Sequence, residues 1–220
     1  MGAVTFGIPK ELVSQLKEIY KINTFIETGT YKGKTTSWAA NNFKEVITIE
    51  NSKVLFEDAV KNLSIYTNVK CLFGNSAEKL GEILNNKKEP AILWLDAHWC
   101  GGFTYGESDE CPLMQEIEIV NNSPFEHIII IDDARYFSKP PVQTHESSQW
   151  PGLNELIPAL TIKKDYYCFI SEDVIVAIPL KGKAKLQAYF NKIHRSEFPG
   201  GGIVKNMRFA LRNIMNKWKS

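Results

Sequence analysis

Three aspartates and a histidine lie at points in the sequence where they could do chemistry. Asp96 ends one apolar run, Asp132 and Asp133 end a second, and His98 follows Asp96 by two residues. If the two runs are strands of one open parallel sheet, their carboxyl ends border the same crevice. Carboxylates that converge there repel one another unless a proton or a cation compensates them. A divalent ion that prefers oxygen ligands, Mg²⁺, is the simplest compensation.

These acids also have a plainer interpretation. Asp132 or Asp133 could cap the next segment or pair with Arg135. The imidazole of His98 could take a hydroxyl proton or bind the ion, or it could be structural. We take His98 and Asp96 as candidate catalytic residues, and Asp96, Asp132 and Asp133 as candidate Mg²⁺ ligands.

A glycine-containing loop forms a second candidate site. The segment Glu27-Thr-Gly-Thr-Tyr-Lys-Gly33 follows a short β-rich run, and Glu50 ends the next such run, 17 residues beyond Gly33. Gly29 and Gly33 allow a tight turn and a close approach of the backbone to a ligand. Glu50 is spaced to accept hydrogen bonds from both hydroxyls of an unphosphorylated ribose. The pattern therefore predicts a nucleotide pocket.

Three kinds of nucleotide site compete for this loop. The dinucleotide fingerprint needs G-x-G-x-x-G, which is absent here. The phosphate-binding loop needs G-x-x-x-x-G-K-[ST], and the segment from Gly29 to Thr35 is one residue too short for it. The third pattern, E-x-G-x-x-x-G, fits Glu27–Gly33 without a gap. It resembles the loop of class I S-adenosylmethionine-dependent methyltransferases.

The resemblance implies S-adenosylmethionine as the cofactor, which carries no phosphate. In that family the acid before the loop, here Glu27, lies near the methionine end, and the acid after the second strand, here Glu50, holds the ribose. Asn75 and Ser76 resemble the positions that meet adenine. The candidate cofactor-binding residues are Glu27, Gly29, Thr30, Gly33, Glu50, Asn75, Ser76 and Asp96.

Strand and helix patterns must position these residues. Apolar strand candidates alternate with helical patterns, which favours a parallel sheet with helices on both faces. The predicted strands span 24–27, 46–50, 69–73, 91–96 and 127–133. Two last strands, 166–170 and 174–178, are joined so closely that they must pair as an antiparallel hairpin. We predict an α/β, Rossmann-like, seven-stranded, mostly parallel sheet that ends in this hairpin, the layout of class I methyltransferases.

The acids narrow the resemblance further. Asp96 with the pair Asp132-Asp133 resembles the ligand set of metal-dependent O-methyltransferases of the catechol and macrocin type. There the metal binds the hydroxyl oxygens of the acceptor and lowers their pKa. The catechol-type enzymes place a lysine base three residues after the first acid, a position that holds Trp99 here. The base must therefore differ, and His98 is the candidate.

Two polar segments border these acids. The segment 101–110 predicts a substrate-facing loop in which Glu107 and Glu110 could reach the metal or the substrate, or Glu110 could favour a helix N-terminus. The segment 138–152, with its prolines and glycine, predicts a long loop that covers the site. It contains His145, a weaker candidate than His98.

Composition sets the broad class. A chain of 220 residues with 44% hydrophobic content can bury one substantial core. No apolar run approaches the roughly 18 residues of a membrane span, and the start lacks a signal-peptide core. The four cysteines show no C-x-x-C pair, so a reducing cytoplasm is the expected location.

Charge is distributed unevenly along the chain. Residues 181–220 carry a balance of +9 and the preceding residues one of −8. The last 18 residues read as a basic amphipathic helix after a triple glycine. It could be a docked terminal helix, or it could contact an anionic membrane surface or substrate. We predict a methyltransferase domain over 1–180 and a basic helical extension over 181–220.

The expected function is Mg²⁺-assisted O-methylation of a small polar acceptor, such as a sugar, glycan precursor or polyol. One alternative is a phosphate-loop kinase or NTPase that uses Lys34, Thr35 and Asp96. Another is a non-catalytic nucleotide-binding module attached to a membrane by its basic tail. No nucleic-acid partner is expected, and a homodimer remains open.

Overall fold

A computed structural model describes residues 6–98, 110–139 and 145–197, with the side chains of the last four of these left aside. The chain divides into two compact units, residues 1–181 and 182–220, and each is considered by itself. The substrate-facing loop predicted over 101–110 falls outside the described residues except for Glu110, as do Trp99 and the helix predicted for the last 18 residues. The predictions made for them stay predictions.

Seven strands of the first unit form one sheet in the order β3-β2-β1-β4-β5-β7-β6. The first five strands are parallel, and β7 is antiparallel to both β5 and β6. The predicted fold class is thereby confirmed. The strands are β1 Thr24–Thr28, β2 Glu45–Glu50, β3 Val69–Phe73, β4 Ile92–Leu95, β5 Ile128–Ile131, β6 Tyr166–Ser171 and β7 Val174–Pro179.

Helices connect the strands. In the first unit they are α1 Lys10–Tyr20, α2 Lys34–Ala40, α3 Lys53–Leu63, α4 Ser76–Asn86, α5 Leu113–Asn122, α6 Ala134–Phe137 and α7 Leu153–Thr161. A short 3₁₀ turn, Ser147–Gln149, precedes α7. The second unit begins with α8, Lys183–Glu197. No helix among the described residues is long and apolar enough to cross a membrane.

The sheet is buried on both faces, as continuous apolar strands require. On one face, alternate strand residues such as Ile26 and Leu93 pack with α4, α5 and α7 in one core cluster. On the other face, Phe25 of β1 contacts the rings of Trp38 in α2 and Phe43. Because β4 and β5 are fully buried, the first residues after them emerge together at the carboxyl edge of the sheet.

Candidate active site

The glycine loop turns from β1 into α2 against the ends of its neighbouring strands. The N–H groups of Gly29 and Thr30 both donate to the Ile49 carbonyl of β2, at 2.9 and 3.2 Å. Gly29 has a φ of +84°, and a Cβ there would lie 2.1 Å from the Asp96 carbonyl oxygen. Glycine is therefore required by both backbone conformation and space.

Glu50, at the end of β2, holds this loop. One of its carboxylate oxygens accepts the Tyr31 N–H and the other accepts the Ser52 N–H, both at 2.8 Å. A carboxylate oxygen can accept more than one hydrogen bond, so each retains capacity for a ligand hydroxyl. The Gly74 N–H donates to the Glu50 carbonyl at 3.0 Å, which brings the end of β3 to the same place.

Asn75 and Ser76 follow that glycine. The Asn75 side chain caps α4 by accepting the Glu78 N–H at 3.2 Å, as N-cap asparagines do. Ser76 is buried. Both predicted adenine-side residues thus adjoin the Glu50 strand end, although the cap alone explains the choice of Asn75.

Glu27 lies deep in β1 and is 1% exposed. Its Oε2 accepts hydrogen bonds from the hydroxyls of Thr36 at 2.5 Å and Thr48 at 2.6 Å. Burial raises the pKa of this carboxyl to about 7, despite the two hydroxyl donors, and the charge of Glu50 adds to the rise. Thr36 and Thr48 were not identified from the sequence, since isolated threonines carry no spacing signal.

The phosphate-loop alternative is not supported by this geometry. A phosphate-binding loop directs its N–H groups at the ligand. Here the N–H groups of Gly29, Thr30, Tyr31 and Gly33 are bonded to carbonyls of the protein or to Glu50. The carboxylate of Glu50 would also repel a phosphate at this position.

The three aspartates do meet at the carboxyl edge of the sheet. The Asp96 N–H donates to the Thr28 carbonyl at 3.1 Å, and the Asp132 N–H donates to the Leu95 carbonyl at 3.2 Å. Burial raises the pKa of Asp96 well above its ordinary value, and the charges of Asp132 and Asp133 add to this against the effect of His98. Burial, with the charge of Asp133, likewise raises the pKa of Asp132 to about 6.

Asp133 differs from the other two. Its Oδ2 lies 2.7 Å from Nε2 of His98, and its Oδ1 lies 2.6 Å from a guanidinium nitrogen of Arg135. Burial raises the pKa of Asp133, but the hydrogen bonds and charges of His98 and Arg135 outweigh it and hold the pKa below its ordinary value. The pairing with Arg135 is the plainer interpretation drawn from the sequence.

The described residues do not fit a divalent cation as they stand. They contain no group of three or more histidine, cysteine, aspartate or glutamate side chains arranged to hold one. The donor set explains this, because both carboxylate oxygens of Asp133 are already paired with cationic or proton-donating groups. One oxygen of Asp132 also accepts the Asp133 N–H at 2.8 Å.

His98 is buried beside these acids. Its Nε2 also lies 3.8 Å from an oxygen of Asp96, and its ring packs against Phe137 and Trp150. In a neutral ring that donates Nε2–H to Asp133, the basic nitrogen is Nδ1. The histidine is therefore oriented by a carboxylate, an arrangement that suits proton transfer.

Glu110 anchors the segment that was predicted to cover the site. It is buried and accepts the Trp150 indole N–H at 2.6 Å and the Glu146 N–H at 3.0 Å, with His145 Nδ1 3.2 Å away. Because α5 begins only at Leu113, a helix-terminus role does not account for it. Glu110 ties the segment 145–150 to the start of α5.

Solved methyltransferase structures have the same fold. A candidate caffeoyl-CoA O-methyltransferase from Staphylococcus aureus matches with a TM-score of 0.56 and 19% identity over 80% of this chain and 86% of that one. An O-methyltransferase from Bacillus cereus in complex with SAH (S-adenosylhomocysteine) gives 0.54 and 17% over 80% and 84%. TomG from Streptomyces achromogenes, involved in tomaymycin synthesis and in complex with SAM (S-adenosylmethionine), gives 0.54 and 15% over 80% and 82%.

No protein-family model and no curated protein matches the sequence. At these identities the likeness establishes the fold. The chain has the Rossmann-like fold seen in these methyltransferases, with the same reversed last strand pair that its own sheet shows.

Proposed function

We propose that this protein is an S-adenosylmethionine-dependent methyltransferase that methylates a hydroxyl group of a small polar acceptor. One observation carries the proposal: the glycine loop lies between the carboxylates Glu27 and Glu50, and its bonded N–H groups leave no phosphate cradle. Such a site suits a cofactor that combines a ribose with an amino group and lacks phosphate. The fold likeness supports the same class.

Each carboxylate has a distinct task in this proposal. Glu50 accepts hydrogen bonds from the ribose hydroxyls, and the backbone bonds from Tyr31 and Ser52 fix its orientation beforehand. Glu27 attracts the positively charged methionine end. The cofactor supplies a methyl group on a positively charged sulfur, which needs only a nucleophile held in line with it.

His98 provides the proton acceptor. Asp133 holds the ring and its tautomer, so that Nδ1 can take the proton of the acceptor hydroxyl as the oxygen attacks. Asp96, 3.8 Å from the ring, stabilises the imidazolium that forms. The reaction is not routed through Mg²⁺, because the described aspartates do not fit the ion.

The acceptor class follows from the lining of this edge. Asp96, Asp132 and Asp133 offer several hydrogen-bond acceptors in a small space, which suits a molecule rich in hydroxyl groups. A sugar, glycan precursor or polyol has that character. The macrocin-type resemblance points to the same class.

The cofactor site is tested by replacing Glu50 with Gln. We expect S-adenosylhomocysteine to bind the wild type, and Glu50→Gln to bind roughly tenfold more weakly or worse, as loss of a charge-assisted hydrogen bond predicts. Glu57→Gln, an exposed glutamate on α3, is the matched control and should bind like the wild type. Equal binding by both variants would remove Glu50 from the site.

The acceptor is tested with S-adenosylmethionine carrying a labelled methyl group. Label should pass to at least one compound in a panel of free sugars, nucleotide sugars and polyols, and the amount should fall with Asp133→Asn. Tight cofactor binding without transfer to any hydroxyl compound would instead favour the non-catalytic binding module.

A further inference from the structure

The carboxyl edge of the sheet already contains a cation of its own. The guanidinium of Arg135 contacts Asp133 at 2.6 Å, while His98 contacts the other oxygen of the same carboxylate at 2.7 Å. Asp133 is only 13% exposed, so this pair is shielded from water much more than a surface ion pair is. Both coordinating oxygens of one expected metal ligand are therefore engaged by the protein itself.

Arg135 is fixed from its far side as well. The same guanidinium nitrogen pairs with Asp173, which lies in the turn between β6 and β7. The main-chain N–H of Arg135 donates to the Asp173 side chain at 3.1 Å, and the Ala134 N–H donates to its carbonyl at 2.8 Å. Asp173 thus holds both the backbone and the side chain of this arginine in place.

The rest of the surroundings agree with a fixed position. The guanidinium lies 4.7 Å from the ring centre of Tyr136, within the range of a cation–π contact. Asp133 has a φ of +57°, a backbone conformation that few residue types adopt, and its N–H is held by Asp132 at 2.8 Å. Two strand-end acids and a hairpin acid therefore converge around one guanidinium.

We infer that Arg135 is the resident counter-charge of this acidic edge and takes the place that a divalent cation would otherwise fill. A divalent ion on the same carboxylates would lie close to the guanidinium in a poorly solvated site, where like charges repel strongly. The inference concerns charge balance and does not depend on the proposed methyl transfer. It makes the site independent of Mg²⁺ through a named side chain.

The test is a gain of metal binding. Mn²⁺, whose free fraction is read by electron paramagnetic resonance, is titrated into the full chain. The wild type should show no site that saturates below millimolar Mn²⁺. Arg135→Met, which keeps much of the side-chain volume and removes the charge, should bind Mn²⁺ about tenfold more tightly or better. Asp132→Asn in the Arg135→Met background should abolish the gained site.

Two controls keep the result interpretable. Lys139→Met removes the same charge from an exposed position nearby and should not create a site. Because Arg135→Met leaves Asp173 without its cation, the double variant Arg135→Met/Asp173→Asn is used if the single variant unfolds. Folding is checked by circular dichroism before each titration.

Saturable micromolar Mn²⁺ binding by the wild type would overturn the inference, because the guanidinium would then not exclude the ion. Absence of binding by both Arg135 variants would also overturn it, since the edge would lack a metal site for reasons other than Arg135. Neither result bears on the binding of S-adenosylhomocysteine, so the failure of this inference and that of the proposed function can be told apart.

Discussion

Glu27 shows how a single residue can lower stability where function needs it. A carboxyl that is 1% exposed loses its contact with water and receives only two hydroxyl donors in return. Its pKa of about 7 is the measure of that cost. A ligand with a cationic group beside it would offset the cost, which is the arrangement expected of a binding site.

The sign of the resulting pH effect follows from linkage. Because the pKa of Glu27 is about 7 in the folded protein and 4.5 ordinarily, the folded state retains the proton longer as the pH rises. Its contribution therefore lowers the free energy of unfolding between pH 4.5 and 7, by about 3 kcal/mol in total.

Glu27→Gln should remove this loss. We expect the variant to gain stability relative to the wild type by about 3 kcal/mol on going from pH 4.5 to pH 8, as measured by urea unfolding at both values. Glu118→Gln, exposed on α5, is the control and should follow the wild type. A variant that tracks the wild type at both values would show that Glu27 is not buried as described.

His98 is the residue on which the proposed chemistry depends. His98→Gln keeps a hydrogen-bonding side chain but cannot act as a base, so kcat should fall by about 10²-fold or more. Binding of S-adenosylhomocysteine, measured by calorimetry, should change little, because His98 is not among the expected cofactor contacts. A fall in cofactor affinity with an unchanged kcat would assign His98 to the cofactor site.

At the scale of the elements, strands were predicted better than connections. The apolar runs ending at Asp96 and at Asp132 became β4 and β5, since burial on both faces leaves a plain signature. The hairpin was predictable because only three residues separate its apolar runs. Helix α7 was not anticipated, and Pro158 inside it explains why, since proline ordinarily argues against a helix.

A buried histidine joins three of these elements. The Ala91 N–H, just before β4, donates to His127 Nδ1 at 3.0 Å, so the neutral ring carries its proton on Nε2 and donates it to Ser123 after α5 at 2.7 Å. Burial, with the charges of Lys164 and Lys87, lowers the pKa of His127 to about 4. Protonation would break the bond from Ala91.

The protein should therefore lose stability in mild acid through His127. Because the pKa is about 4 when folded and 6.5 ordinarily, the unfolded chain takes up the proton first as the pH falls. The free energy of unfolding should drop by about 2–3 kcal/mol from this residue between pH 7 and pH 4.5. His127→Gln, which can still accept from Ala91 and donate to Ser123, should show a shallower drop in urea unfolding. An equal drop in both proteins would contradict the assignment.

At the scale of the whole molecule, the candidate site was predictable only in part. The strand-end acids and the glycine loop were identified because chain order fixes which strand ends meet. The partners of those acids were not, since Thr48, Arg135 and Asp173 come together only after the sheet has formed. Contacts between distant segments carry no local pattern, and they decided the fate of the expected metal site.

The same scale separates the competing functions. A seven-stranded sheet with a reversed last pair is shared with solved methyltransferases, and its glycine loop has bonded rather than open N–H groups. Both features argue for a phosphate-free nucleoside cofactor. The basic segment after α8 lies outside the described residues, and its contact with a membrane or substrate stays a prediction.

The most direct test of the central claim is calorimetric titration of the purified protein with S-adenosylhomocysteine, with and without Mg²⁺, and with ATP as the comparison ligand. We expect micromolar binding of S-adenosylhomocysteine that Mg²⁺ does not alter, and no binding of ATP. Binding of ATP alone would contradict the account and return the chain to the phosphate-binding class.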